Sequence, residues 1–558
     1  MWSQNYNPTG SAFLSTLLAT VPVLILLGGL GFFHVRAHIA ALAGMVAAFI
    51  IAMFVFGMPG GVAVKAALFG GSWALTVPCW IILNTMFLYR LTLKAGLFQV
   101  LQESIGGVTN DRRLQLILIA FCFGAFFEGA AGGGTPVAVT GAMLIGLGFH
   151  PLAASGLALI ANTAPVAFGG SGTPILVLNS VTQNTDAYLL TLSAMVGRQL
   201  PFFSVIVPIW LVAAFAGWRG TMQVLPAVLV AGISFALPQF LISNFHGPWV
   251  VDMVSAMISM VCVAVFLKYW HPKEVWLTAA PGSKTTPWAE AQKQRVNHNY
   301  SRKRVIAAWA PWVIVSLVLM LWAWKAWKGV IDIPGVTLIN YPIPGLDKVV
   351  ERVAPVVATP HPEAAVFKFG ILSAVGSGIL LAAIISGLIM KVSVRDMVKA
   401  YSETFASLKF SFITIFAMLA LSYVTRYAGM DATMGLAMAN TGWLYPFFGT
   451  LIGWVGVALT GTDAGSNALF GSQQQITANQ LGLSPTLMAA ANSSGGVMGK
   501  MIDAQSIVVA SVATNYVGKE GVILRYVFWH SIALACLVGV LVMLQAYVWP
   551  FTAMVPVE

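Results

Sequence analysis

Apolar runs long enough to cross a membrane recur from one end of this chain to the other, and that repetition decides what it can fold into. A segment crossing about 30 Å of hydrocarbon must satisfy its backbone groups internally, which leaves helices or a closed barrel. The short alternating segments of a barrel are missing. The expected fold is therefore all-α, a polytopic membrane protein. Only 8% of the 558 residues are charged and 58% are hydrophobic, which suits a surface facing lipid rather than water.

The runs are broken by polar, glycine-rich stretches in two corresponding places. The first lies at Glu128-Gly129-Ala130-Ala131-Gly132-Gly133-Gly134-Thr135-Pro136, followed by Asn162-Thr163-Ala164-Pro165 and Gly169-Gly170-Ser171-Gly172-Thr173-Pro174. The second lies at Gly461-Thr462-Asp463-Ala464-Gly465-Ser466-Asn467, followed by Asn492-Ser493-Ser494 and Lys500. Broken hydrophobic segments at matching positions of two halves are the sequence pattern of a secondary transporter's binding site. The reading is thus a transporter with discontinuous helices and two pseudo-symmetric halves. Residues 1–270 form the first transmembrane half, 271–304 a basic cytoplasmic loop, and 305–558 the second half. About 12 to 14 crossings are expected, together with half-helices at the breaks.

The net charge of +11 is carried by loops. Arg36, the group Arg90, Lys94, Arg112 and Arg113, the run Lys268 to Arg304, and Lys391, Arg395 and Lys399 all fall between spans. The positive-inside rule places them in the cytoplasm, so the charge reads as orientation against the membrane rather than nucleic-acid binding. The mixed, proline-bearing stretch 327–363 and both termini are then external. The four cysteines all lie in apolar stretches and read as buried free thiols.

Within the breaks, Glu128 and Asp463 are acids at membrane depth, where ionisable groups line cavities, pair or carry protons. They are the candidate proton-coupling groups. Glycines expose backbone N–H and C=O groups to a ligand, and an interrupted helix offers its N-terminus to an anion. Gly132, Gly133, Thr135, Asn162, Thr163, Ser171 and Thr173 are candidate substrate contacts from the first half. Ser466, Asn467, Asn492, Ser493 and Lys500 are those from the second. Lys500 and Arg198 are candidate countercharges for a carboxylate, and Asn162, Asn492 or Ser493 could read a hydroxyl. Each has a structural alternative: a turn, a helix end, or a basic side chain reaching an interface. Nucleotide-binding loops, nucleophile elbows, cofactor fingerprints and metal-ligand spacing are all missing, so neither an enzyme nor a cofactor or metal is expected. A channel with re-entrant glycine-rich loops is the alternative to a carrier.

Several stretches resemble the bacterial L-lactate permeases: Phe121 to Ala125, Glu128 to Gly132, Asn162 to Gly169, Val196 to Pro201, Gly217 to Gly220, Ala365 to Phe369, Ser466 to Phe470 and Gly495 to Met501. The likeness runs from Asn5-Tyr6-Asn7-Pro8 to Gln545-Ala546-Tyr547-Val548. It implies a multi-pass inner-membrane symporter that imports L-lactate, D-lactate and glycolate with protons. The family's Gly-Phe-Gly-Ala-Pro pattern is replaced here by Gly132-Gly133-Gly134-Thr135-Pro136. That change implies a roomier or more hydroxyl-friendly pocket.

Overall fold

The computed structural model describes residues 1–556 apart from 32, 34, 131, 133, 279–284, 292–299, 324, 358 and 518. Nine described helices are long and apolar enough to span a membrane. A tenth span is a broken pair, Pro151–Ala161 with Val166–Val181, bent by 64°. The shorter apolar helices His38–Phe54, Pro136–Gly146 and Val375–Ile389 complete the bundle. The architecture is all-α and polytopic, with discontinuous helices.

Four of the nine are longer than a single crossing needs: Gly60–Lys94, Asp186–Phe245, Val394–Ala428 and Met430–Thr460. A straight helix of 60 residues would measure about 90 Å, three times the hydrocarbon thickness. Asp186–Phe245, of that length, turns back at Gly217, where φ is +67° and ψ is 174°. Ser193 Oγ donates to the Ser243 carbonyl at 2.9 Å, and Ser204 Oγ to Gln239 Oε1 at 2.6 Å, so its two arms run antiparallel. Gly60–Lys94 is likewise two helices, parted at Val77 ahead of Pro78.

Small extramembrane features gather the loops at two ends. The N-terminal strand Trp2–Ser3 pairs in parallel with Val350–Arg352, which in turn pairs antiparallel with His361–Pro362. Gln4 Nε2 donates to the carbonyls of Arg426 and Tyr427, fixing this patch on the bundle. The N-terminus and the loop expected to be external thus share one end. At another set of helix ends, Lys94 pairs with Asp396 at 2.7 Å. Buried Arg113 pairs with Asp111 at 2.7 Å and donates to the carbonyls of Gly220 and Glu274. The loops that contain these residues are the basic ones. All four cysteines are free, with Cys79 and Cys122 buried and Cys262 and Cys536 half-buried.

Two apolar cores run through the bundle. One collects residues between Ile81 and Val263 with others between Ala308 and Val542. The other joins Ala19 to Ala74 with Val177, Val181 and the stretch Ala417 to Phe470. Each core draws on chain from both sides of the 271–304 loop, so the two sequence halves interleave. Val166 belongs to one core and Val177, Met418 and Leu419 to the other, and all four line one cavity.

Candidate functional site

The first break is built from glycine. The wholly buried helix Arg112–Ala130 includes a π-helical stretch at Ile117–Phe123 and carries Glu128 near its end. Glu128 is 4% exposed, and its Oε2 has no hydrogen-bond partner. Facing it, Pro151–Ala161 is capped at its start by the His150 side chain and ends at Asn162. The chain turns through a 3-10 turn at Val166–Phe168 and then takes three successive left-handed residues: Gly170 at φ +50°, Ser171 at +54° and Gly172 at +78°. Left-handed geometry costs an ordinary residue about 1–2 kcal/mol, and runs of it are rare. The neighbours explain why glycine is needed. A Cβ on Gly172 would lie 2.7 Å from the Pro248 carbonyl oxygen, and one on Gly169 would lie 2.5 Å from Glu128 Oε1. The glutamate therefore rests directly on backbone.

The second break is built from side-chain hydrogen bonds. Tyr445–Thr460 ends at Gly461, which has φ +78°. Thr462 caps the next helix, Asp463–Leu481, by accepting from the Gly465 N–H at 2.9 Å. Asp463 Oδ2 accepts from Ser493 Oγ and, at 3.4 Å, from Asn467 Nδ2. Asn492 Nδ2 donates to Asn467 Oδ1 at 2.9 Å, Gln474 Nε2 to Asn492 Oδ1 at 3.2 Å, and Tyr445 OH to Gln474 Oε1 at 2.7 Å. Lys500 closes the helix Pro485–Gly499. Its Nζ donates to the Gly461 carbonyl at 2.6 Å and stands 3.1 Å from Asp503 Oδ2. Asp503 caps the following helix through Ser506 N at 2.7 Å.

The two breaks meet at a cavity of about 140 Å³. Its polar wall is Glu128, Gly132, Thr173, Thr462, Asp463 and Lys500, and its apolar wall includes Ile82, Val177 and Met418. The first turn of Asp463–Leu481, from Thr462 to Gly465, borders it, as does the restart of the first broken helix at Thr173 and Pro174. Two helix N-termini and one ammonium therefore face the same small space, the arrangement that receives an anion. An ammonium has three donors; Lys500 gives one to the Gly461 carbonyl and lies beside Asp503 Oδ2 as an ion pair without a hydrogen bond.

The residues expected from sequence divide between this wall and its support. Glu128, Gly132, Thr173, Asp463 and Lys500 line the cavity. Ser466 Oγ donates to the Gly453 carbonyl, Asn467 Nδ2 also reaches the Pro174 carbonyl, and Asn492 and Ser493 bond within the network. These four hold the wall from behind. Thr163 donates to the Ile160 carbonyl, and Ser171 lies within the left-handed turn. Asn162 lies close to the Glu128 carboxylate but short of hydrogen-bond geometry, and both of its amide atoms are without partners. Arg198 stands elsewhere: its guanidinium is committed to Asn244 Oδ1 and the Met554 carbonyl, so it does not line the cavity. Gly133 and the Thr135 side chain lie outside the described residues.

Sequence reasoning missed the contributions of Pro78, Ile82, Ile415, Met418 and Leu419 to the apolar wall, which have no polar signature. It also missed Asp252, a buried acid packed against Gly129. An aspartate inside Trp249-Val250-Val251-Asp252-Met253-Val254 was a usable signal.

An all-helical bundle whose broken helices close on a small charged cavity defines a secondary transporter. The L-lactate permease family matches residues 15–549, and the chain belongs to that family. It is 45% identical over 559 residues to the glycolate permease GlcA of Escherichia coli (strain K12), covering 99% of each chain. It is 41% identical over 559 residues to the L-lactate permease of the same strain and 39% identical over 578 residues to that of Bacillus subtilis (strain 168), with full coverage of each. The chain is thus a multi-pass inner-membrane permease and not an enzyme. The channel alternative gains nothing from these relationships.

Proposed function

We propose that this protein takes up L-lactate, D-lactate and glycolate across the inner membrane together with protons. The observation that carries the proposal is the charge inventory of the cavity. Glu128 and Asp463 are two acids on its wall, and the one lysine there already faces Asp503. A substrate carboxylate would add a further negative charge to a buried site, where unpaired like charges cost several kcal/mol each. Anion entry therefore requires protons on the wall, and coupling follows from electrostatics. The names of the relatives, one a glycolate permease and the others L-lactate permeases, support short 2-hydroxy acids. A space of about 140 Å³ suits a molecule of a few heavy atoms.

In this reading an uncommitted N–H of Lys500 and the first turn at Thr462–Gly465 hold the substrate carboxylate. Asn162, with both amide atoms free behind Glu128, reads the 2-hydroxyl, while Asn492 and Ser493 act through Asp463. The two halves are related by pseudo-symmetry. Gly148-Phe149-His150-Pro151 and Gly482-Leu483-Ser484-Pro485 each turn through a left-handed glycine, cap a helix with a side chain and start it with proline. Each of those helices ends at a cavity break, near Asn162 in one half and at Lys500 in the other. Residues 1–270 and 305–558 are these halves, the loop 271–304 is cytoplasmic, and both termini are periplasmic.

Reconstituted vesicles test the reading. A pH gradient, acid outside, should concentrate labelled L-lactate, and unlabelled glycolate and D-lactate should compete. Accumulation that needs sodium and ignores the pH gradient would refute the coupling. Propionate competing as well as lactate would refute hydroxyl recognition.

A further inference from the structure

We infer that Asp252 is a second proton-carrying group of the transport cycle, exchanging a proton with Glu128 on a branch apart from the substrate cavity; this rests on the proton-symport reading above. Asp252 stands in the first turn of Val251–Tyr269 and is 1% exposed. Neither of its carboxylate oxygens has a hydrogen-bond partner, and no cation pairs with it among the described residues. A Cβ on Gly129 would lie 2.7 Å from the Asp252 Cβ, so Asp252 packs on the residue that follows Glu128, and the two carboxylates are within electrostatic reach.

The helices packed against Val251–Tyr269 are Arg112–Ala130, Gly169–Val181 and Asp186–Phe245. Their ionisable groups leave Glu128 as the one that faces Asp252. Arg113 is paired with Asp111, Arg112 donates to Gln115 and Arg198 to Asn244. Asp186 begins the helical hairpin, Tyr188 accepts from Gln475 Nε2 and Arg219 sits at the hairpin's turn. Cys122 meets Ser259. Asp252 has no partner on either oxygen and Glu128 none on Oε2, and Lys500, the cation that acts on Glu128, is already shared with Asp503. Two buried carboxylates so placed do not both stay ionised, so the pair carries a proton.

The same helix continues a polar line. Ser255, buried with its Oγ unpartnered, is three residues on from Asp252. Ser259, four further, donates to the Ala231 carbonyl at 2.8 Å and meets Cys122 Sγ at 3.4 Å. Spacing of three and then four residues keeps one helical face. Asp252 and Ser259 both fall against the Glu128 helix, the latter at its π-helical stretch, an irregularity frequent at functional sites. The line runs from Glu128 towards Lys268, away from the substrate cavity.

The step itself is a proton transfer. The Asp252 O–H bond breaks as its proton passes to a Glu128 carboxylate oxygen, leaving Asp252 ionised. The reverse transfer restores the first state, and protons enter and leave through water at the membrane faces.

Vesicles carrying Asp252→Asn and Asp252→Glu distinguish this role from a structural one through two readouts. The first is uphill accumulation under a pH gradient of one unit, which supports about tenfold accumulation at one proton per anion. The second is exchange of labelled for unlabelled L-lactate at equal concentrations and pH. Asp252→Asn should lose accumulation at least fivefold more than exchange and flatten the pH dependence of uptake; Asp252→Glu should keep accumulation and shift that dependence. Wild-type accumulation retained in Asp252→Asn overturns the inference, as does an equal loss of both activities in both variants. If Asp252→Asn fails to reach the membrane, Asp252→Glu with an unmoved pH dependence overturns it. Failure of the wild type itself to accumulate lactate on a pH gradient would instead refute the underlying symport reading.

Discussion

The two breaks that meet at the cavity are made in opposite ways. Around Asp463 the side chains of Ser493, Asn467, Asn492, Gln474 and Tyr445 form one connected network that ends on Asp463 Oδ2, while Asp463 Oδ1 has no partner. Around Glu128 the chain is shaped by glycines, and Glu128 Oε2 and both amide atoms of Asn162 are left without partners. A connected buried network is rigid and costly to disturb, whereas an unpartnered buried group is available to a ligand or a proton. Under the proposed function, one break is the fixed wall of the site and the other is the wall whose bonding changes when substrate arrives.

The largest expected effect tests the changeable wall. Glu128→Gln should abolish uphill uptake of labelled L-lactate, reducing accumulation from about tenfold per pH unit to near equality. Full accumulation in this variant would transfer the coupling role to the opposite wall. Next comes Lys500→Met. Losing a charge-assisted contact costs about 1.5–3 kcal/mol, so half-saturation should rise roughly tenfold to a hundredfold. Because Asp503 would be left buried without its cation, Lys500→Met with Asp503→Asn should restore protein yield but not affinity. Unchanged half-saturation in the double variant would remove Lys500 from substrate binding.

A pair of asparagines gives the sharpest contrast. Asn492→Ala should destabilise the protein by about 1–3 kcal/mol, seen as earlier thermal unfolding in detergent, because it strands Gln474 and Asn467. Asn162→Ala should leave unfolding nearly unchanged while weakening discrimination of lactate from propionate. Equal destabilisation by both would erase the distinction between the walls. The smallest effect belongs to Ser171→Gly, which relieves a left-handed serine and should raise stability by about 0.5–1 kcal/mol; Gly172→Ala should lower it by more, against the Pro248 carbonyl.

How far the sequence was readable follows from the same contrast. Glu128, Asp463 and Lys500 stood out because charge inside an apolar run has few structural explanations. The breaks were legible through glycine and proline. The direction in which an amide or hydroxyl points leaves no trace in sequence. Asn492 and Ser493 therefore read as ligand contacts although Asn492 bonds Asn467 and Gln474 and Ser493 bonds Asp463, and Arg198 read as a countercharge although Asn244 and the Met554 carbonyl hold it. Asp252 carried the same signal more weakly, because it stands at the start of a span, where an acid is also an ordinary helix-initiating residue.

The network behind Asp463 also has a direction. Tyr445 donates to Gln474, Gln474 to Asn492, Asn492 to Asn467 and Asn467 to Asp463, so four successive dipoles point head to tail at one carboxylate. Such a file is polarised as a whole, and each member's orientation is set by the next. Asn467, Asn492 and Gln474 cannot reverse singly without facing donor to donor, whereas the phenol at the far end can rotate. The tyrosine hydroxyl is thus a built-in indicator wired to the carboxylate, and its ultraviolet or vibrational signal should register what happens at Asp463 without any added label.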